Sequence, residues 1–135
     1  MNNSQSDSIF TKIIKGKIPV NKIYEDDSVI AFLDSSPLAD GHTLVVPKIQ
    51  IDHLWDLSDT DYQKLWSVAK NIANHLKNHF GTSRVIAMVE GFYVPHAHIH
   101  LIPADTEEVL VRRPGITPEP TQEELAKLAQ KLKLN

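Results

Sequence analysis

Residues 94–102 read Val-Pro-His-Ala-His-Ile-His-Leu-Ile, so that histidine alternates with apolar residues. Successive side chains of a β-strand point to opposite faces, and this period therefore places His96, His98 and His100 on one face. At a rise of roughly 3.3 Å per residue, neighbouring histidines have Cα atoms about 6.6 Å apart, close enough for three imidazoles to address one phosphate-sized anion. The segment predicts a strand with an apolar inner face and a reactive outer face.

The chemistry of this histidine row allows two interpretations. Histidine can act as nucleophile, acid, base or hydrogen-bond donor near neutral pH, so a row of histidines can divide these roles. Alternating histidines on strands also bind zinc, copper or iron through neutral imidazole. No acidic residue or cysteine adjoins the row, but distant Asp, Glu or His residues could complete a metal site. Both interpretations stay open from the residues alone.

The rest of the chain predicts an α+β fold. Short β-branched or apolar segments bounded by turn residues predict five strands, at residues 22–25, 29–33, 43–46, 85–89 and 97–102. A long amphipathic helix is predicted over residues 58–80, capped by Ser58 and ended by Gly81, and shorter helices over residues 8–15 and 121–133. Because the early strands follow one another through hairpin-length joints, we predict an antiparallel sheet.

Composition limits the remaining possibilities. The chain has 135 residues, which suits one domain, with an expected core at 8–104, a linker at 105–120 and a C-terminal helix. It has no cysteine, 17 acidic and 14 basic side chains, and neither a signal-like N-terminus nor an apolar run of about 20 residues. We therefore expect a cytoplasmic protein that acts on small molecules and binds neither nucleic acid nor membrane.

The histidine row belongs to a longer series of motifs. It matches the signature His-x-His-x-His-x-x with apolar x, and it resembles the histidine-triad (HIT) family of nucleotide hydrolases and transferases. Further segments resemble the N-terminal half of that family in the same order, namely residues 10–14, 18–19, 24–27, 31–34 and 41–48. The resemblance covers about residues 8–104.

The resemblance implies an antiparallel α+β homodimer that needs no cofactor and binds a nucleoside monophosphate beside the triad. It implies that His98 attacks the α-phosphorus of a nucleotidyl substrate and leaves a nucleotidyl-histidine that water hydrolyses. It assigns His96 and His100 to the phosphate oxygens and His42 to orientation and proton transfer.

The resemblance also implies a nucleoside pocket. In it Asp34 accepts hydrogen bonds from the ribose hydroxyls. Four apolar residues line or support the base: Phe10, Ile13, Ile18 and Phe32. From the residues alone, these four would be ordinary core positions and Asp34 would stabilise a turn.

Two departures from the family are visible. Many bacterial members bind a structural zinc through two cysteines, a later histidine and the first triad histidine, whereas this chain has Ser8, Thr11 and Gln50 at the corresponding positions. We therefore predict no metal. Before the triad, Phe92 and Tyr93 replace the usual Gln-Ser pair, either to pack the leaving group or to cover the dimer interface.

Together these features predict a hydrolase of purine nucleoside phosphoramidates or related nucleotidyl conjugates. Hydrolysis of dinucleoside polyphosphates is one alternative. A nucleotide-binding adaptor with vestigial turnover is the other.

Overall fold

A five-stranded antiparallel sheet forms the centre of the computed structural model, which describes residues 5–111 and 119–135. The strands are β1 (Lys22–Glu25), β2 (Val29–Leu33), β3 (Thr43–Pro47), β4 (Arg84–Met88) and β5 (Ile99–Ala104). Their spatial order is β1-β2-β3-β5-β4. The first three strands form a meander and the last strand lies between β3 and β4, so the predicted antiparallel α+β fold is confirmed.

Three α-helices accompany the sheet in the described residues: α1 (Ile9–Ile14), α2 (Asp59–Phe80) and α3 (Gln122–Leu132). Two 3-10 helices lie at Leu54–Asp56 and Glu107–Leu110. The Ser58 side chain caps α2 by accepting from the Asp61 backbone N–H, and Gly81 ends α2 in the left-handed region at φ 65°. The long helix therefore begins and ends where the sequence predicts.

The sheet is covered on both faces. One face packs against α2 and α3 through a large apolar cluster that includes Val45, Ile99, Leu65 and Leu76. The other face carries a smaller cluster made with α1, whose buried members are Phe10, Ile13, Ile30, Phe32, Leu44 and Val46. Every residue of β2 and β3 is buried, since alternate side chains enter the two clusters.

The predicted start of the last strand is wrong. β5 begins at Ile99, so that His96 and His98 precede it and only His100 of the three lies within the strand. The carbonyl of Pro47 on β3 accepts from the His96 ring, and the Ala97 backbone N–H donates to Ile51 outside the sheet. These two hydrogen bonds take the place of the strand-to-strand backbone hydrogen bonds that the alternating pattern predicts for residues 97 and 98.

The segment after β5 lies partly outside the described residues. Of the predicted linker at 105–120, residues 107–110 form a 3-10 helix, whereas residues 112–118 are not described. Among the described residues, no helix combines the length and apolar character needed to cross a membrane.

Candidate active site

A cavity of about 820 Å³ opens on the sheet face that α1 covers, a volume typical of small-molecule sites. Eight of the nine residues predicted for the site line it: Phe10, Ile13, Ile18, Phe32, Asp34, His42, His98 and His100. The ninth, His96, lies outside this lining. The cavity therefore joins an apolar wall from α1 and β2 to a cluster of imidazoles.

His98 is held in one defined tautomer. Its Nδ1 lies 2.7 Å from the backbone carbonyl of His96, and because a carbonyl can only accept, Nδ1 carries the proton. The Phe10 ring packs edge-on against the imidazole, with centroids 4.9 Å apart. In the neutral imidazole, the lone pair that a nucleophile requires is therefore on Nε2.

His42 and His100 form a directed hydrogen-bond chain. The Leu38 backbone N–H donates to Nδ1 of His42 at 3.0 Å, which leaves the proton of this imidazole on Nε2. That Nε2 lies 2.9 Å from Nδ1 of His100 and donates to it. The proton of His100 therefore sits on Nε2, an atom that is buried and has no hydrogen-bond partner in the part of the chain that the structure describes. Because His100 lines the cavity, this donor is a candidate contact for a ligand there.

The imidazoles of His42 and His100 are both uncharged at neutral pH. Burial is the main reason that the pKa of His100 is lowered to about 4. Burial also lowers the pKa of His42, although the Asp34 carboxylate opposes the shift. Both imidazoles are therefore neutral, which agrees with the tautomers assigned from their hydrogen bonds.

The backbone before β3 fixes the position of His42. Gly41 has φ 85°, a conformation that L side chains rarely adopt. A Cβ at this position would clash with the Phe80 ring of α2. Glycine is therefore required here for two reasons, the backbone conformation and the lack of space for a Cβ. It lets the chain turn so that the His42 backbone N–H reaches the Ala39 carbonyl.

Asp34 combines a turn contact with a place in the cavity wall. Its Oδ1 accepts from the Ser36 backbone N–H at 2.8 Å, which is the turn-stabilising contact expected from the residue alone. Its Oδ2 lies 3.6 Å from Nε2 of His42, and the carboxylate lines the cavity. The turn contact therefore does not prevent a contact between Asp34 and a bound ligand.

His96 belongs to a buried polar cluster beside the cavity. Its Nε2 donates to the Pro47 carbonyl at 2.8 Å, and its Nδ1 accepts from the Ser8 hydroxyl at 2.7 Å. The Thr11 hydroxyl and the Ser8 backbone N–H both donate to Oε1 of Gln50, at 2.6 and 2.8 Å. Both ring nitrogens of the fully buried His96 are thus engaged, which differs from the expectation that this imidazole contacts phosphate.

The same cluster does not fit a structural zinc. Its three residues other than His96 supply hydroxyl and amide groups, whereas structural zinc sites in proteins use cysteine thiolates and imidazoles. The Ser8 and Thr11 hydroxyls and the Gln50 carbonyl already hydrogen-bond one another or His96. The absence of a metal nevertheless stays a prediction.

A second group of possible metal ligands lies in the cavity itself. Asp34, His42 and His100 each bring one ligand atom within 4.8 Å of the others. However, His42 Nε2 and His100 Nδ1 are 2.9 Å apart, closer than the roughly 3.3 Å between two nitrogens bound tetrahedrally to one zinc. The contact between these two atoms is therefore better explained as a hydrogen bond.

The sequence-based prediction missed several residues of the cavity. Leu44 and Met88 line it and pair across the sheet with His100 on either side. Alternation along β3 and β4 could have revealed both once the strand order was known. Leu38 acts through its backbone N–H, which a sequence pattern does not reveal.

Fold and site together define an α+β protein whose largely apolar cavity is lined by three histidines, two of which are neutral at neutral pH. Comparison with known proteins identifies the family: residues 15–107 match the HIT domain, and the chain belongs to the HIT family.

Three comparisons illustrate the relationship. The Bacillus subtilis protein hit is 38% identical over 100 residues, which cover 70% of this chain and 69% of that protein. The adenosine 5'-monophosphoramidase hnt1 of Schizosaccharomyces pombe is 33% identical over 101 residues, covering 74% of this chain and 76% of that protein. The crystal structure of a Hit-like protein from Bartonella henselae superposes with a TM-score of 0.80, at 34% identity and with 94% of each chain covered. Such relatives support a nucleotide-processing hydrolase in general terms.

Proposed function

We propose that the protein hydrolyses purine nucleoside phosphoramidates or related nucleotidyl conjugates through a nucleotidyl intermediate on His98. The observation that carries this proposal is the hydrogen bond from Nδ1 of His98 to the His96 carbonyl, because in the neutral imidazole it leaves the lone pair on Nε2. The name of the S. pombe relative, an adenosine 5'-monophosphoramidase, supports the same substrate class.

The nucleoside occupies the apolar part of the cavity. A purine base can pack against the aromatic rings of Phe10 and Phe32, which contact each other edge-on. The side chains of Ile13 and Ile18 complete this apolar wall. Asp34, at the end of β2, accepts hydrogen bonds from the ribose hydroxyls. This placement brings the 5'-phosphate to the histidines that line the same cavity.

The phosphate is held by the hydrogen-bonded, neutral imidazoles of His42 and His100. Nε2–H of His100 donates to a phosphate oxygen, and its orientation is maintained by His42 and by the Leu38 backbone N–H behind it. His96 acts as a positioning residue, because its carbonyl holds His98 while its ring is anchored to Ser8 and Pro47.

Two displacements complete the reaction. Nε2 of His98 forms a bond to phosphorus, and the bond from phosphorus to the leaving group breaks with its electron pair. The His96 carbonyl then stabilises the cationic imidazole through the retained Nδ1–H. Water attacks the same phosphorus, loses a proton and releases the nucleoside monophosphate, so that Nε2 recovers its lone pair.

We also propose that the protein forms a homodimer in the cytoplasm. Support for the dimer comes from β4, a sheet edge whose residues Val85, Ile86 and Met88 remain half-buried. An exposed edge strand with apolar side chains is a common site of chain pairing.

Steady-state kinetics with adenosine 5'-phosphoramidate test the proposed activity. We expect His98→Ala to abolish measurable turnover while calorimetry still detects adenosine monophosphate binding. His79→Ala, which changes an exposed histidine of α2 that does not line the cavity, is the matched control and should keep wild-type kcat/KM. Unchanged turnover in His98→Ala would refute the proposed nucleophile.

A further inference from the structure

A second cavity, of about 140 Å³, adjoins the candidate active site. His98 and Glu90 line both cavities, whereas Trp55 and Phe92 line the smaller cavity but not the larger one. A substrate with its nucleoside in the larger cavity and its α-phosphorus at His98 can therefore extend its other substituent into the adjoining smaller cavity.

Two large aromatic side chains with mostly exposed surfaces flank the smaller cavity. Trp55 is 70% exposed and Phe92 is 90% exposed. Exposed apolar side chains gathered around a concave site are typical of surfaces that bind a ligand. A ligand ring placed against them would remove apolar surface from water and stack on their faces.

Both aromatic residues stand on ordered backbone. Trp55 lies in the 3-10 helix Leu54–Asp56, whose first residue is buried. The Phe92 backbone N–H donates to Oε1 of Glu90 at 2.7 Å, across Gly91 at φ 81°. The backbone at both positions is therefore held beside the cavity that His98 lines.

The charge of the smaller cavity selects among possible leaving groups. Asp52 and Glu90 contribute carboxylates to its lining, and no lysine or arginine of the described residues lines it. These carboxylates repel a phosphate-bearing group and attract an amine, and aromatic faces also attract cations. The volume suits one aromatic ring, since an apolar cavity of about 150 Å³ is known to hold benzene.

We propose that the smaller cavity receives the aromatic ring of an arylalkylamine, which is the leaving group of a nucleoside phosphoramidate. The inference rests on the proposed function and favours phosphoramidates over dinucleoside polyphosphates, whose leaving group carries phosphate. As Nε2 of His98 bonds to phosphorus, the phosphorus–nitrogen bond breaks, and the amine keeps the electron pair and takes one proton from solvent. The water that then hydrolyses the phosphorus–Nε2 bond loses one proton, so the two steps balance.

Three adenylyl conjugates test this subsite: those of ammonia, 2-phenylethylamine and 2-cyclohexylethylamine. The last two amines have similar size and basicity and differ in aromaticity. We expect wild-type kcat/KM to be about fivefold higher for the phenyl than for the cyclohexyl conjugate. Trp55→Leu and Phe92→Leu should each bring this ratio close to one. Val111→Ala, an exposed apolar position outside both cavities, should leave the ratio unchanged.

The possible failures are distinguishable. If wild type hydrolyses the ammonia conjugate but shows no phenyl preference, or if both leucine variants keep the preference, the subsite is refuted and the proposed function stands. If wild type hydrolyses none of the three conjugates, the proposed function fails and the subsite with it. If light scattering shows that both variants convert a wild-type dimer to a monomer, the aromatic side chains belong to an interface between copies, and the subsite is refuted.

Discussion

Replacing Ser8 by alanine should destabilise the protein more than the loss of a helix cap explains. The Ser8 hydroxyl caps α1 by accepting from the Thr11 backbone N–H, and it donates to Nδ1 of His96 at 2.7 Å. His96 is fully buried, so the substitution leaves its Nδ1 with only the Thr11 hydroxyl, which lies 3.4 Å away and already donates to Gln50. A lost cap costs about 1 kcal/mol, and an unsatisfied buried polar atom roughly 1–3 kcal/mol.

The expected total is a loss of about 2–4 kcal/mol in the free energy of unfolding. For a chain of this size, the melting temperature should fall by roughly 6–15 °C. Ser58→Ala is the matched control, because the Ser58 hydroxyl caps the long helix α2 in the same way but is exposed and contacts no buried histidine. That control should lose only about 1 kcal/mol.

Urea denaturation followed by circular dichroism measures both free energies directly. The His96 cluster also holds the carbonyl that orients His98, so Ser8→Ala should lower kcat for adenosine 5'-phosphoramidate as well. If Ser8→Ala is no more destabilised than Ser58→Ala, the Ser8–His96 hydrogen bond contributes nothing to folding and the reasoning about this cluster is wrong.

Four further predictions concern the cavity. His42→Ala removes the donor that fixes the His100 tautomer, so kcat/KM should fall about 100-fold in steady-state assays, whereas His79→Ala serves as an unchanged control. Asp34→Ala should raise KM about tenfold and affect kcat less, because it removes the acceptor for the ribose hydroxyls. The folded-state pKa of His100, about 4, lies below the roughly 6.5 of an unfolded histidine, so its contribution to stability is complete above about pH 6.5 and declines as pH falls towards 4. The melting temperature should therefore fall over this pH range, with a shallower slope in His100→Asn. Dialysis against a chelator should leave turnover unchanged, and recovery that depends on added zinc would contradict the metal-free account.

Local signals explain which elements were predictable. The prediction of the long helix is confirmed, because Ser58 and Gly81 mark its ends and its apolar stripe has the helical period. The strands at Lys22–Glu25 and Val29–Leu33 were also placed correctly, since turn residues bound short apolar segments there. These features depend on neighbours in the sequence alone.

Long-range contacts explain what the sequence pattern could not reveal. The alternating histidines predict one continuous strand, but the His96 ring donates a hydrogen bond to the Pro47 carbonyl. The other ring nitrogen of His96 contacts Ser8, which lies 88 residues earlier in the sequence. The tautomer of His42 depends on a backbone N–H at Leu38. Residue types alone therefore identify the histidines, whereas the fold decides which of them face the cavity.

The measurement that tests the account most directly is the electrospray mass of protein quenched in mildly alkaline denaturant during turnover of adenosine 5'-phosphoramidate. A phosphorus–nitrogen bond to histidine survives these conditions, so a covalent intermediate is retained. We expect an adenylyl adduct on wild type and on His79→Ala, located on His98 by peptide mapping, and none on His98→Ala. Turnover by wild type without an adduct on His98, or with the adduct on another histidine, would contradict the central claim.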